Sequence, residues 1–137
     1  MRTIFQNCTL LDGTEQMMPR PGTDVAIEND RIAQIGKITP NKGDRVVDLT
    51  GKYLMPGLIN LHVHLPAGGK PQNKPMNTNR LTKIALSSGL SRALVLRMCH
   101  AYAMQGLLSG VTTVRAVGGL DNLDTRLRDR IHAGKLD

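Results

Sequence analysis

Two histidines separated by one residue, His62 and His64, are the residues whose type and spacing best suit chemistry in this sequence. They end residues 55–65, a stretch that opens with the turn residues Pro56 and Gly57 and continues as a short apolar run. Proline donates no ladder hydrogen bond, so we expect a strand that begins after it and covers residues 58–63. A nearly continuous apolar run is typical of a parallel strand that is buried on both faces.

The spacing of the two histidines predicts a shared ligand. Side chains alternate along a strand, so His62 and His64 point to one side while Val63 points to the other. Two imidazoles about 6.6 Å apart at the backbone are able to lean onto one ion. Imidazole binds zinc and, with carboxylate ligands, nickel, iron or manganese. A chain with four histidines also produces such a pair by chance, which leaves a purely structural role as the alternative.

The same residues resemble a known family. Pro-Gly-Leu-Ile-Asn-Leu-His-Val-His, residues 56–64, is similar to the first barrel strand of the amidohydrolase superfamily, usually Pro-Gly-Leu-Ile-Asp-x-His-x-His. Residues 109–119, Ser-Gly-Val-Thr-Thr-Val-Arg-Ala-Val-Gly-Gly, resemble its second strand, most closely in the imidazolonepropionase-like and Xaa-Pro-dipeptidase-like branch. Asn60 and Ala116 depart from the aspartates that the family has there. Neither is a ligand by motif, so the departures concern the groups around the ligands.

This resemblance implies a metal-dependent hydrolase that cleaves a C–N bond, in an amide, cyclic amide or peptide-like small molecule, through a metal-activated water. It implies one or two divalent metal ions, with zinc the first choice. His62 and His64 map onto the family's metal ligands, whereas its other ligands and its late aspartate have no match here. Arg115 lies at the C-terminal end of the second strand. Its guanidinium is expected either to bind a substrate carboxylate or to form a salt bridge between loops.

Residues 1–54 read as short strands. The clearest are residues 3–9, 24–28, 31–36 and 45–49, with a hairpin turn at Asn29-Asp30 and a break at residues 19–22. The family resemblance implies that they form part of an N-terminal β-sandwich. The sandwich is expected to be incomplete, with one unpaired edge, because the family completes it with strands from the C-terminal end.

Residues 55–137 form the second expected domain. A long connection over residues 66–88, either a substrate lid or a plain loop, precedes a helix that starts near residue 90 with Ser91 as its N-cap. A second buried strand at 111–114 and a helix capped by Asp121 follow. The connection carries Lys70, Lys74, Arg80 and Lys83, which either meet an acidic substrate or are simply solvated. The apolar face of the first helix is expected to consist of Leu94, Met98, Ala101, Met104 and Leu108. That of the second helix is expected to consist of Leu123, Leu127 and Ile131.

The fold class is therefore α/β, with the N-terminal sandwich strands followed by the first two βα units of an incomplete TIM-like (β/α)8 barrel. A closed barrel needs eight such units and about 250 residues. With 137 residues, we expect the first third of an enzyme, inactive as an isolated segment and dependent on a missing C-terminal barrel portion or a complementing chain. The alternative is a non-catalytic remnant or interaction module that retains the start of the fold.

The amino-acid composition limits the classes of partner that this chain is expected to bind. A net charge of +7 suits an anionic partner, but aromatic residues make up only 2% and no helix has a basic stripe, so we expect no nucleic acid. Cys8 and Cys99 have no metal-type spacing and read as reduced buried thiols of a cytoplasmic protein. His100 and His132 read as structural. The N-terminus lacks a signal-peptide core, and no apolar run reaches the ~18 residues of a membrane span.

Overall fold

The computed structural model describes residues 1–68 and 77–136, which divide into two compact units, Met1–Pro56 and Gly57–Asp137. Lys70 and Lys74, two of the cations expected on the long connection, lie outside the described residues. No helix within the described ranges is both long enough and apolar enough to cross a bilayer.

The first unit is one five-stranded mixed sheet. Its strands are β1 (Arg2–Leu10), β2 (Arg20–Glu28), β3 (Arg31–Gly36), β4 (Arg45–Asp48) and β5 (Tyr53–Leu54). Their order is β3-β2-β1-β4, and β5 also pairs with β1. The predicted hairpin joins β2 to β3, and Asn29 takes the left-handed conformation there with a φ of 54°. The predicted sandwich is not confirmed, because the described strands of this unit form a single sheet.

The break predicted at residues 19–22 is wrong. β2 already starts at Arg20, which pairs with Leu10, and the next aligned pair is Thr23 with Cys8. Between these two pairs β2 has one residue more than β1, so Pro21 and Gly22 lie in a bulge. A bulge accommodates proline because the extra residue has no ladder partner for a backbone N–H to bond.

Both faces of the sheet carry a small core. Ile4, Ala26 and Ile38 form one buried cluster, whereas Cys8, Leu10 and Val25 form another. Since Val25 and Ala26 are consecutive in β2, their side chains point to opposite faces.

A buried carboxylate, Asp24, accepts hydrogen bonds from two separate segments of this unit. Its Oδ1 accepts a hydrogen bond from the Asn7 N–H and its Oδ2 one from the Ile38 N–H, both at 2.9 Å. Asn7 has a φ of 60° and lies where the pairing of β1 with β2 is irregular, so its N–H needs a partner outside the ladder. The hydrogen bond from Asn7 is the largest cause that lowers the pKa of Asp24 from its ordinary value, and the bond from Ile38 lowers it further. Burial opposes this shift.

The second unit contains β6 (Leu58–Val63), α1 (Thr78–Ala85), α2 (Gly89–Leu108), β7 (Val111–Ala116) and α3 (Leu123–His132). β6 and β7 pair in parallel, as the strand–helix order predicts. The core lies between the last two helices, where Leu96 and Cys99 of α2 pack with Leu123 and Leu127 of α3.

The strands β6 and β7 are not buried in the way the apolar runs predict. Ile59 is 64% exposed, Leu61 66% and Val114 43%. The prediction assumed neighbouring strands and helices over both faces, and the described residues do not supply that cover.

Part of the connection predicted at residues 66–88 is helical. α1 begins after Asn77, whose side-chain oxygen accepts a hydrogen bond from the Arg80 N–H at 3.0 Å. Its apolar residues, among them Leu81 and Ile84, are too few to give a clear helical period in the sequence.

The cap and the apolar face predicted for α2 are also wrong. Ser88 is the N-cap, and its side chain and that of Ser91 each accept a hydrogen bond from the other's backbone N–H. Leu94 is 59% exposed and Leu108 84%, because α2 is apolar on several sides and packs on α3 through a different stripe that includes Leu96.

The start of α3 differs from its prediction as well. The residue before the helix is Asn122, with a φ of 56° and no side-chain capping bond, rather than Asp121. Asp121 instead forms an ion pair with Arg92 of α2, at 3.3 Å between Oδ2 and Nε. Leu123 and Leu127 are buried as expected, but Ile131 is 42% exposed.

Replacing Asp24 tests its role in the first unit. Asp24→Asn replaces one of the two carboxylate oxygens that accept hydrogen bonds from the Asn7 and Ile38 N–H groups, and we expect a loss of about 1–3 kcal/mol in the free energy of unfolding at pH 7. Because the pKa of Asp24 is lowered on folding, its stabilisation is present above the unfolded pKa of about 4 and is lost as the pH falls through the folded value. Urea titrations at pH 7 and at lower pH, followed by amide NMR signals of β1 and β2, measure both effects.

Asp30→Asn is the matched control, because Asp30 is exposed and its carboxylate makes no hydrogen bond or ion pair with a described residue. Equal stability of both variants at pH 7 would contradict the role of Asp24.

Candidate metal site

The two predicted ligands lie together at the C-terminal end of β6. The ring centroids of His62 and His64 are 5.2 Å apart, with an angle of 74° between the ring planes. Both side chains are exposed. Two imidazoles that converge on one ion have centroids roughly 5 Å apart, given metal–nitrogen distances of about 2.0–2.1 Å. The alternation of the strand therefore brings the rings together as the spacing predicts.

The His64 ring is fixed by a backbone carbonyl. Its Nδ1 lies 3.2 Å from the carbonyl oxygen of Gly118, just beyond the end of β7. Because a carbonyl oxygen only accepts, this contact favours the proton on Nδ1, so that in the neutral tautomer Nε2 has the free lone pair. A backbone partner on one imidazole nitrogen is the usual way in which proteins orient a histidine whose other nitrogen binds a metal.

Gly118 approaches the ring closely because it has no side chain. A Cβ there would lie 3.2 Å from both Cε1 and Nδ1 of His64. Next to it, the Val117 N–H donates a hydrogen bond to the Val63 carbonyl at 3.1 Å, which ties the end of β7 to the end of β6. The sequence reasoning missed this role of Gly118, for which the only signal was the pair of glycines after the second strand.

The backbone between Asn60 and His64 departs from regular strand pairing. Asn60 aligns with Val114 and Val63 with Ala116, so Leu61 and His62 together face one residue of β7, Arg115. The His62 N–H donates a hydrogen bond to the side-chain oxygen of Asn60 at 3.1 Å. Such bulges are common beside functional sites, where they redirect a side chain.

Arg115, the predicted substrate-binding residue, lies near the C-terminal end of β7 with its side chain exposed. It forms no hydrogen bond or ion pair with any described residue, so the salt-bridge alternative is not realised within the described ranges. Its guanidinium is open to an anion from outside the described residues.

No further ligand joins the histidine pair. Within the described ranges, no group of three or more His, Cys, Asp or Glu residues is arranged to hold a metal ion. Cys8 and Cys99 are free and buried as predicted, and burial is the main cause that raises the pKa of each thiol. The two imidazoles thus fit part of a zinc site, because a catalytic zinc needs about three protein ligands.

No protein-family model matches the chain. A 5-methylthioadenosine/S-adenosylhomocysteine deaminase from Thermoanaerobacter pseudethanolicus is 44% identical over 66 residues, which are 47% of this chain and 15% of that protein. A dihydroorotase from Bacillus licheniformis is 31% identical over 78 residues, or 57% of this chain and 18% of that protein. The solved structure of phenylurea hydrolase B aligns with a TM-score of 0.78 and 29% identity, over 100% of this chain and 29% of that one.

These relatives and structural neighbours point to the amidohydrolase superfamily. The family resemblance of residues 56–64 and 109–119 is thereby confirmed. This chain spans less than a fifth of the length of the two curated relatives and under a third of the solved structure.

Gly118→Ala tests the contact that orients His64. We expect the added methyl group to push the ring away from the carbonyl, so that the Nδ1–H tautomer, dominant in the wild type, loses its preference. Nitrogen-15 NMR of the imidazole at a pH where His64 is neutral measures the tautomer ratio.

Gly106→Ala in α2 is the control, because a Cβ at position 106 meets no atom within 4 Å. An unchanged His64 tautomer ratio in Gly118→Ala would show that the carbonyl does not orient the ring.

Proposed function

We propose that His62 and His64 are two ligands of a divalent metal in a hydrolase that cleaves C–N bonds. The observation that carries this proposal is the proximity of two exposed imidazoles, with centroids 5.2 Å apart, at the end of a parallel strand. The names of the relatives, a deaminase and a phenylurea hydrolase among them, support this class of reaction.

A bound divalent metal, for which zinc is our first choice, supplies a water of lowered pKa and polarises the substrate carbonyl. Contacts within this chain determine which ring nitrogens of the two proposed ligands are free to bind a metal. The Gly118 carbonyl is the hydrogen-bond partner of the His64 Nδ1, which leaves Nε2 as the nitrogen that would bind the metal. The His62 ring makes no hydrogen bond with a described residue, so either of its nitrogens is free to bind.

Arg115 is proposed to bind a carboxylate of a small amide or peptide-like substrate. It is exposed, has no partner among the described residues, and lies opposite the bulge that contains His62. A planar guanidinium binds a carboxylate through two parallel hydrogen bonds.

The remaining ligands are proposed to come from polypeptide outside these 137 residues. On this proposal, residues 1–54 are part of an N-terminal β-sandwich, and residues 55–137 are the first two βα units of a TIM-like barrel. Two observations support it. The apolar side chains of β6 and β7 are exposed where barrel neighbours would cover them, and the chain aligns with only 29% of a solved relative.

A non-catalytic interaction module is the second candidate. The observation that favours it is that the described residues contain no group of three metal ligands. Zinc binding separates the two candidates, because a module without a metal site has no reason to bind zinc through His62 and His64.

Histidine substitutions test the ligand assignment. We expect His62→Ala and His64→Ala each to weaken zinc binding at least ~10-fold, because one remaining imidazole holds the ion poorly. Equilibrium dialysis with metal analysis measures both affinity and stoichiometry.

His132→Ala is the control, because His132 is an exposed residue in the last turn of α3. Unchanged zinc stoichiometry in the two site variants would refute the assignment.

The activity of the chain alone tests the proposal that the remaining metal ligands come from polypeptide outside these residues. The zinc-loaded chain alone is expected to hydrolyse neither a phenylurea nor a cyclic amide above the buffer rate, since two ligands do not complete a catalytic site. Liquid chromatography of the products measures this. Turnover by the isolated chain that disappears in His64→Ala would show instead that residues 1–137 suffice.

A further inference from the structure

The end of β6 departs from regular pairing with β7. Regular pairing resumes at Val63, and the two residues before it share a single opposing residue, Arg115. The His62 N–H lies inside this irregular segment. A backbone N–H without a protein partner exchanges its hydrogen freely and leaves the local backbone free to change conformation.

Asn60 supplies an acceptor for the His62 N–H. Its Oδ1 lies 3.1 Å from the His62 nitrogen, two residues along the chain, which is the typical local bond of an asparagine side chain. This bond fixes the backbone of His62 in the bulged conformation. The direction of the imidazole follows from the backbone, because χ1 is confined to a few staggered rotamers.

We infer that Asn60 is a positioning residue for His62, through a hydrogen bond that sets the bulge and so the convergence of the two rings. This inference rests on the proposed function, in which His62 and His64 bind a metal. Asn60 acts through the backbone: its side chain accepts a hydrogen bond from the His62 N–H and makes none with the described ring of either histidine.

The chemistry of the side chain makes the inference testable with two variants of similar shape. Asn60→Asp keeps the acceptor oxygen and adds a negative charge near a cation, so zinc affinity should equal or exceed that of the wild type. Asn60→Leu has nearly the same size but no acceptor, so zinc affinity should fall about 10-fold, the lower end of the range seen when the support of a ligand is removed. Asn41→Leu is the control, because Asn41 is exposed and its side chain makes no hydrogen bond with a described residue.

The experiment combines zinc dialysis with amide hydrogen exchange of the whole chain by NMR. We expect the His62 amide to be protected in the wild type, Asn60→Asp and Asn41→Leu, and to exchange rapidly in Asn60→Leu. The Cys99 amide in α2 should stay protected in all four, which shows that the second unit is folded. The absorption spectrum of the Co²⁺-loaded chain should change in Asn60→Leu alone.

Two results would overturn the inference, and they differ in what they say of the proposed function. If His62→Ala loses zinc while Asn60→Leu keeps wild-type affinity and His62 protection, Asn60 has no positioning role and the metal site stands. If His62→Ala and His64→Ala bind zinc as the wild type does, the proposed function falls and the inference with it.

Discussion

The parallel pairing of β6 with β7 is the constraint on which the candidate site depends. Parallel strands carry their C-terminal ends to the same edge of the sheet, so the end of β6 with its two histidines lies beside the glycines that follow β7. The bond from the Val117 N–H to the Val63 carbonyl closes this edge. The contact between His64 and Gly118 follows from it, because no local sequence feature would bring two residues 54 positions apart within 3.2 Å.

Burial of apolar side chains contributes little to the stability of the β6–β7 pair. The buried core of the second unit lies between α2 and α3, while many apolar side chains of the strands remain exposed. The order of the site therefore comes chiefly from directed hydrogen bonds at the strand ends, including the one that Asn60 accepts from the His62 N–H in the bulge. Hydrogen bonds define positions more sharply than non-directional apolar contacts do, which is what a pair of metal ligands requires.

Period-two alternation was enough to predict that His62 and His64 share a side, because that relation is local. The hairpin at Asn29-Asp30 and the parallel order of the two barrel-type strands were also within reach of the sequence. The roles of Gly118 and Asn60 were not, since both depend on the register of β6 against β7 and on the bulge within it.

The local errors have local causes. Two serines three residues apart, Ser88 and Ser91, satisfy the same capping pattern, and only the backbone shows which one begins the helix. Apolar residues on several sides of α2 left its buried face undetermined until α3 was in place. Pro21 was read as a break because a proline in a strand is normally excluded, and the bulge that admits it is invisible in the sequence.

The local structure around zinc tests the account most directly. X-ray absorption at the zinc edge of the loaded chain should show a nitrogen shell at about 2.0–2.1 Å with the outer-shell scattering of two imidazoles. That pattern should be lost when both His62 and His64 are replaced. A shell made only of oxygen, or an imidazole signal that persists in the double variant, would contradict the claim that these two side chains hold the metal.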